Sequence, residues 1–213
     1  MNRLENLQKL PEKVIDGIAY TAPTWEQMGE YNFQLAQQII ESGQKFDRVI
    51  ALAKGGWTWS RALVDYLNIS QLSSIRLKSY TGINQSSDNI DVIQQLHDNI
   101  KGENVLIFDD VADSGKTLKF AIDYVKGFGA ETISTATLCY KPRSIVKPDF
   151  YAFSTESWVI FPHEIREFIK NSSDRWCASG TSYDENRCRL VDLRLPENQI
   201  DFFLPQARVQ AQP

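Results

Sequence analysis

The chain has 213 residues, 42% of them hydrophobic and 23% charged, with a formal net charge of −4. Those fractions are ordinary for a globular protein, and the length suits one domain able to bury about 70% of the surface its unfolded chain exposes. The acidic balance gives no reason to expect nucleic acid or an anionic membrane as a partner, and no apolar run approaches the ~20 residues of a membrane span. The polar stretch from Met1 to Pro11 lacks the apolar centre of a secretion signal. Cys139, Cys177 and Cys188 make an odd count in no framework pattern, so reduced thiols and a cytoplasmic location are expected. With only His97 and His163 and no Cys-x-x-Cys, a structural zinc site is not expected.

Along the chain, Thr24 and Gln27 read as a capping box opening a helix that turns Met28, Tyr31, Leu35 and Ile39 inward and stops near Gly43. Arg48 to Ala53 reads as a short buried strand, followed by Lys54-Gly55-Gly56 and a helix from about Thr58 to Leu67 with Trp59, Ala62, Leu63 and Tyr66 on its apolar side. Ser74 to Tyr80 is the next strand. Residues 81–102, rich in Gly, Asn, Ser and Asp, read as a long mobile loop with one helical turn near Val92–Leu96. A strand over 104–109, a helix over 115–127 and a strand over 132–139 follow. Strands alternating with helices imply a parallel sheet with right-handed crossovers. Beyond it, a helix is expected over Pro162–Lys170, and Cys188–Leu195 alternates in the manner of a strand. Ile200–Leu204 is an apolar patch expected to dock on the core or a neighbour, and the tail after Pro205 is expected to fray.

Residues 105–117, Val-Leu-Ile-Phe-Asp-Asp-Val-Ala-Asp-Ser-Gly-Lys-Thr, carry the most chemistry. Four apolar residues suit a strand buried on both faces. The acids Asp109 and Asp110 follow, then the turn Asp113-Ser114-Gly115-Lys116-Thr117 leads into a helix. N–H groups at a helix start bind phosphate, and carboxylates accept from sugar hydroxyls or face a metal ion, so the stretch suits a sugar phosphate. Gly115-Lys116-Thr117 also looks like the end of a Walker A loop, but that loop needs a glycine where Asp110 stands. A plain buried strand followed by an Asp/Ser cap is the simplest alternative.

This run resembles the 5-phosphoribosyl-1-pyrophosphate (PRPP) signature of the type I phosphoribosyltransferases, and it meets that pattern at every position. The resemblance, closest to the hypoxanthine-guanine and xanthine-guanine enzymes, covers roughly residues 48–164. It implies an α/β fold, a parallel-sheet core flanked by helices with a small hood subdomain, and a single domain over 1–213. The core would span about 24–140, the hood about 141–164 plus the N-terminal segment. A C-terminal extension over about 169–213 has no implied role.

The same resemblance implies Mg²⁺-dependent transfer of the phosphoribosyl group from PRPP to guanine, hypoxanthine or xanthine. Asp113 to Thr117 would hold the 5-phosphate, and Lys54, Gly55 and Gly56 the pyrophosphate. Asp109 and Asp110 would hold the ribose hydroxyls, directly or through the metal, with Glu164 as a further acid near it or a mere surface residue. Asp113 would lie near purine N7 as the catalytic carboxylate. Lys141 would donate to the oxygen on purine C6, Trp158 would stack on the base, and Val159 would read the ring edge through its backbone. Ser79 and Tyr80 would form a lid, since a ribosyl cation is readily captured by water. Similar enzymes often hold the peptide at Ala53–Lys54 in cis, and most form dimers or tetramers. Two rival functions keep the fold: a PRPP-sensing regulator with vestigial catalysis, and a transferase for a pyrimidine or another heterocycle.

Overall fold

The computed structural model describes residues 10–79 and 90–209. The chain forms two compact units, one over 26–156 and one combining the described parts of 1–25 and 157–213.

The larger unit is built on a six-stranded sheet. Its strands are β3 (Arg48–Ala53), β4 (Gln71–Ser79), β5 (Ile90–Gln94), β6 (Asn104–Ala112), β7 (Thr132–Tyr140) and β8 (Phe150–Ser154), in the order β5-β4-β3-β6-β7-β8. All neighbours are parallel except β4 and β5, which pair antiparallel with a register shift between Arg76 and Leu77. The central strands are apolar on both faces because helices cover both. Ile50 and Leu52 of β3, Ile75 of β4, and Val105 and Ile107 of β6 pack in one core with Leu118, Ala121 and Val125 of helix α3 (Lys116–Lys126). The alternate residues Val49, Ala51, Leu106 and Phe108 are equally buried and point the other way. Helix α1 (Trp25–Glu41) buries Met28, Tyr31, Leu35 and Ile39 as its periodicity requires, and Asn32 on the same stripe donates to the Trp59 carbonyl of helix α2 (Trp57–Tyr66) at 3.1 Å. Tyr66 departs from the sequence expectation: it is exposed and stands edge-on to Phe33.

Residues 90–94 also depart from it. Instead of a helical turn they form β5, because β4 runs to Ser79 and its open edge takes up their backbone groups. Local composition signalled a loop, and the pairing partner overrode it.

The smaller unit holds a three-stranded sheet and three helices. The hairpin β1 (Glu12–Ile15) and β2 (Ile18–Thr21) turns at Asp16-Gly17, both with positive φ, and β2 pairs in parallel with β9 (Trp158–Val159). Helices α4 (Ile165–Ala178), α5 (Tyr183–Asp192) and α6 (Glu197–Val209) pack around Tyr20, Ile169, Trp176, Leu190, Ile200 and Leu204. The segment 188–195, read as a strand, lies mostly in α5. A capping box explains the helix: Glu185 N–H donates to the Ser182 hydroxyl at 3.2 Å, and Ser182 N–H donates to the Glu185 carboxylate at 2.7 Å. Burial of Asn186, Leu190 and Leu193 then follows the helical period, not the alternation. The tail is also helical past Pro205, since α6 continues to Val209. The apolar patch at Ile200–Leu204 docks on the core as expected, with Ile200 and Leu204 buried. Among the described residues no helix is long and apolar enough to cross a membrane, and all three cysteines are free thiols.

Candidate active site

From β3 the chain passes through α2 to β4 on one side of the sheet, and from β6 through α3 to β7 on the other. The loops leaving the carboxyl ends of β3 and β6 therefore diverge from adjacent strands, and the crevice at such a reversal is where open α/β sheets bind ligands. Those two loops are Lys54-Gly55-Gly56 and Asp113–Thr117.

The peptide joining Ala53 to Lys54 is cis. Both glycines after it lie in tight surroundings, and at Gly56 these are backbone. A side chain at Gly56 would strike the carbonyl oxygens of Phe108 (2.6 Å) and Leu52 (2.9 Å), the backbones of β6 and β3. One at Gly55 would run into the carboxylate of Asp110. The β3 loop thus lies directly on one acid of the pair, and the structure brings together two stretches more than 50 residues apart.

Asp109 and Asp110 lie inside β6, which runs three residues past Asp109 to Ala112 and stays paired with β7 through Tyr140, rather than ending at the acids as the sequence suggested. Despite strand alternation, the two carboxyl groups stay close enough to interact with each other. Asp110 is buried; its N–H donates to Asp109 Oδ1 at 3.0 Å. Burial, and then the neighbouring Asp110 carboxylate, push Asp109 well above the usual carboxylate range. Two clustered carboxyl groups of this kind fit a divalent cation, whose charge would favour their ionised forms, or a set of hydroxyl donors.

After Ala112 the chain turns through Asp113 and Ser114 into Gly115, whose φ of 77° favours glycine. A Cβ there would also strike the Ser144 hydroxyl and the Val146 nitrogen (2.8 Å). Gly115 offers no side chain to cap α3, and the Ser114 hydroxyl accepts only a long 3.4 Å contact from Lys116 N–H. Such a helix start suits an anion.

The segment after β7 folds back onto this turn. Lys141 N–H donates to the Ala112 carbonyl (3.0 Å), Ser144 N–H to the Lys141 carbonyl (2.8 Å), and Ile145 N–H to the Ser114 carbonyl (3.0 Å). Arg143 reaches Asp113, donating to its Oδ1 from Nε at 3.0 Å and also from a terminal guanidinium nitrogen. Sequence reasoning assigned Arg143 no role, although it stands two residues from Lys141. Lys141 is buried, and burial lowers its pKa against the opposing influence of Cys139 and Asp113. Burial pushes the Cys139 thiol up to about 12, which leaves it a neutral, inert side chain.

Trp158, Val159 and Glu164 belong to the smaller unit. Trp158 is 55% exposed and Val159 is buried. Glu164 sits at the N-cap of α4, accepting from Phe168 N–H at 2.9 Å through its carbonyl. Trp158 and Glu164 line a pocket of about 200 Å³ with Tyr20, Phe168 and Arg175, where Arg175 donates to the Tyr20 hydroxyl at 2.6 Å. Tyr20 and Arg175 carry no local sequence signal for this, because 155 residues separate them. Of the lid pair, Ser79 ends β4 and Tyr80 lies outside the described residues.

Residues 24–167 match the phosphoribosyl transferase domain family. The hypoxanthine-guanine phosphoribosyltransferase of Homo sapiens is 33% identical over 136 residues, which cover 56% of this chain and 62% of that protein. The protein of the same name from Streptococcus pyogenes serotype M3 is 30% identical over 115 residues, covering 53% and 64%. The chain thus spans less than two thirds of the length of these curated relatives. Among solved structures, a purine phosphoribosyltransferase from Pyrococcus horikoshii is 38% identical, with a TM-score of 0.61 over 67% of this chain and 93% of that one. A Helicobacter pylori xanthine-guanine-hypoxanthine phosphoribosyltransferase shares the fold, with a TM-score of 0.61 at 19% identity over 72% of this chain and 99% of that one. With the acid pair, the glycine loop and the helix start gathered at one sheet crevice, the chain belongs to the phosphoribosyl transferase domain family.

Proposed function

We propose that the protein transfers the 5-phosphoribosyl group of PRPP to a 6-oxopurine, releasing pyrophosphate and the nucleoside monophosphate. The observation that carries this reading is the contact of Gly55 with the Asp110 carboxylate, which sets the Lys54 loop beside the acid pair. The 5-phosphate binds on the backbone and hydroxyls of Asp113–Thr117 at the start of α3. Lys54, Gly55 and Gly56 hold the pyrophosphate, where Lys54 brings a point charge to a polyanion. Asp109 and Asp110 take the ribose hydroxyls, or Mg²⁺ through or beside them, and bound Mg²⁺ would neutralise charge on the departing pyrophosphate. Lys141 donates to the oxygen on C6, Trp158 offers its ring face, and the Val159 backbone reads the ring edge. Purine N9 forms a bond to ribose C1 as the bond from C1 to the pyrophosphate oxygen breaks. Asp113 faces N7 and accepts, or stabilises, the proton the base must lose. The names of the relatives support the purine class, and the family resemblance supports Mg²⁺, a single catalytic domain and a dimer or tetramer.

The test is pyrophosphate release from Mg²⁺–PRPP with guanine, hypoxanthine, xanthine, adenine and uracil offered separately. Release with one or more 6-oxopurines, and the matching nucleotide, is expected. Release with uracil alone would sink the purine assignment. Tight PRPP binding with no product from any base would favour a PRPP-sensing protein.

A further inference from the structure

An anion-binding turn that begins with an aspartate poses an electrostatic problem. Asp113 stands two residues before Gly115, where α3 begins and where the 5-phosphate is placed, in a chain already at a net charge of −4. A carboxylate there repels phosphate unless something cancels it. Arg143 is the group bonded to it directly, beside the Coulombic influence of Lys141. Its two bonds both end on Asp113 Oδ1, so the other carboxylate oxygen is the one that can turn to a base. The arginine is carried by the Lys141–Val146 turn, which the bonds from Lys141 N–H to the Ala112 carbonyl and from Ile145 N–H to the Ser114 carbonyl fasten to the same loop. Its placement is therefore built into the backbone and does not rely on a chance reach of a long side chain.

We propose that Arg143 is a positioning residue of the PRPP site, holding Asp113 by one oxygen and cancelling its charge at the phosphate-binding turn. This rests on the phosphoribosyl-transfer reading above. The two side chains are 53% and 50% exposed, so the pair adds little to stability, and its value lies in charge and orientation. Lys141 donates on the same turn, so one backbone element aims both the group that reads C6 and the group that steadies the N7 carboxylate.

The experiment compares PRPP affinity, by calorimetry with Mg²⁺, and steady-state kinetics across wild type, Arg143→Gln, Arg143→Lys, Asp113→Asn and the double variant Asp113→Asn/Arg143→Gln. Thermal unfolding of each serves as the check on folding. Arg143→Gln is expected to weaken PRPP about three- to fivefold, the size of a half-exposed charge interaction, with melting close to wild type. In the Asp113→Asn background the same change should have almost no effect on PRPP, because the charge it cancels is gone. Arg143→Lys should recover PRPP affinity while kcat stays low, since an ammonium cannot hold one oxygen from two nitrogens. Equal loss of PRPP affinity with and without Asp113 would overturn the inference, because a purely structural role predicts that result. Wild-type affinity in Arg143→Gln would overturn it too while leaving the function intact. Wild-type protein that binds no PRPP would overturn the parent reading and this one together.

Discussion

In the proposed site Lys141 would donate to the purine oxygen most strongly as an ammonium, and it is held where its charge is disfavoured. Burial is the leading cause, so its folded pKa lies below the ~10.4 of a free lysine. The destabilisation this brings is fully present below the folded pKa and is relieved as pH rises toward the unfolded value, because the unfolded chain binds more protons in that window. Turnover is expected to run the opposite way and to fall as the proton leaves. The alkaline limb of the rate with a 6-oxopurine is therefore expected to begin earlier than an ordinary lysine allows. Lys141→Arg should move that limb upward, and Lys141→Gln should remove it with a loss of about 10- to 100-fold in kcat/KM, the worth of a charged hydrogen bond. A limb unchanged in Lys141→Arg would assign it to another group. Lys141 was singled out by the family resemblance of its segment; its burial was not legible, because that depends on neighbours distant in the chain.

At the scale of elements, the helices of the smaller unit show how a local signal can mislead. The alternation over Cys188–Leu195 suggested a strand, yet Ser182 and Glu185 close a capping box just upstream and Leu190 sits wholly buried against Trp176, Ile200 and their neighbours. Arg189 lies over the Trp176 ring at 5.2 Å and pairs with Asp16 of the β1–β2 turn at 2.6 Å, so α5 is tied to α4 and to the hairpin. Leu190→Ala is expected to destabilise this unit by about 2–5 kcal/mol through lost transfer energy and a residual cavity. Urea unfolding followed by circular dichroism measures it, and a loss under ~1 kcal/mol would mean the site collapses around the smaller side chain. The Ser182-x-x-Glu185 spacing was visible in the sequence and outweighs the alternation once both are considered.

For the whole molecule, a chain of net charge −4 proposed to bind a polyanion would do so through local fields, here the start of α3, Lys54 and Arg143 opposing Asp113. PRPP with Mg²⁺ at 100 times its Kd is expected to stabilise the folded protein by about 2.7 kcal/mol, a rise in Tm of about 5–10 °C for a chain of this size. A chelator should abolish the rise, and a shift of equal size with PRPP alone would show that the metal is not needed for binding. The sequence by itself determined the alternating α/β order of the larger unit, the buried face of α1 and the strand–turn–helix course of residues 105–117, because these rest on periodicity and on motifs contiguous in the chain. Only the tertiary structure decided that residues 90–94 form a strand, that Gly55 lies against the Asp110 carboxylate, and that Arg143 meets Asp113. Each of these joins segments more than ten residues apart, and a pairing partner or a steric neighbour at that distance leaves no trace in local composition.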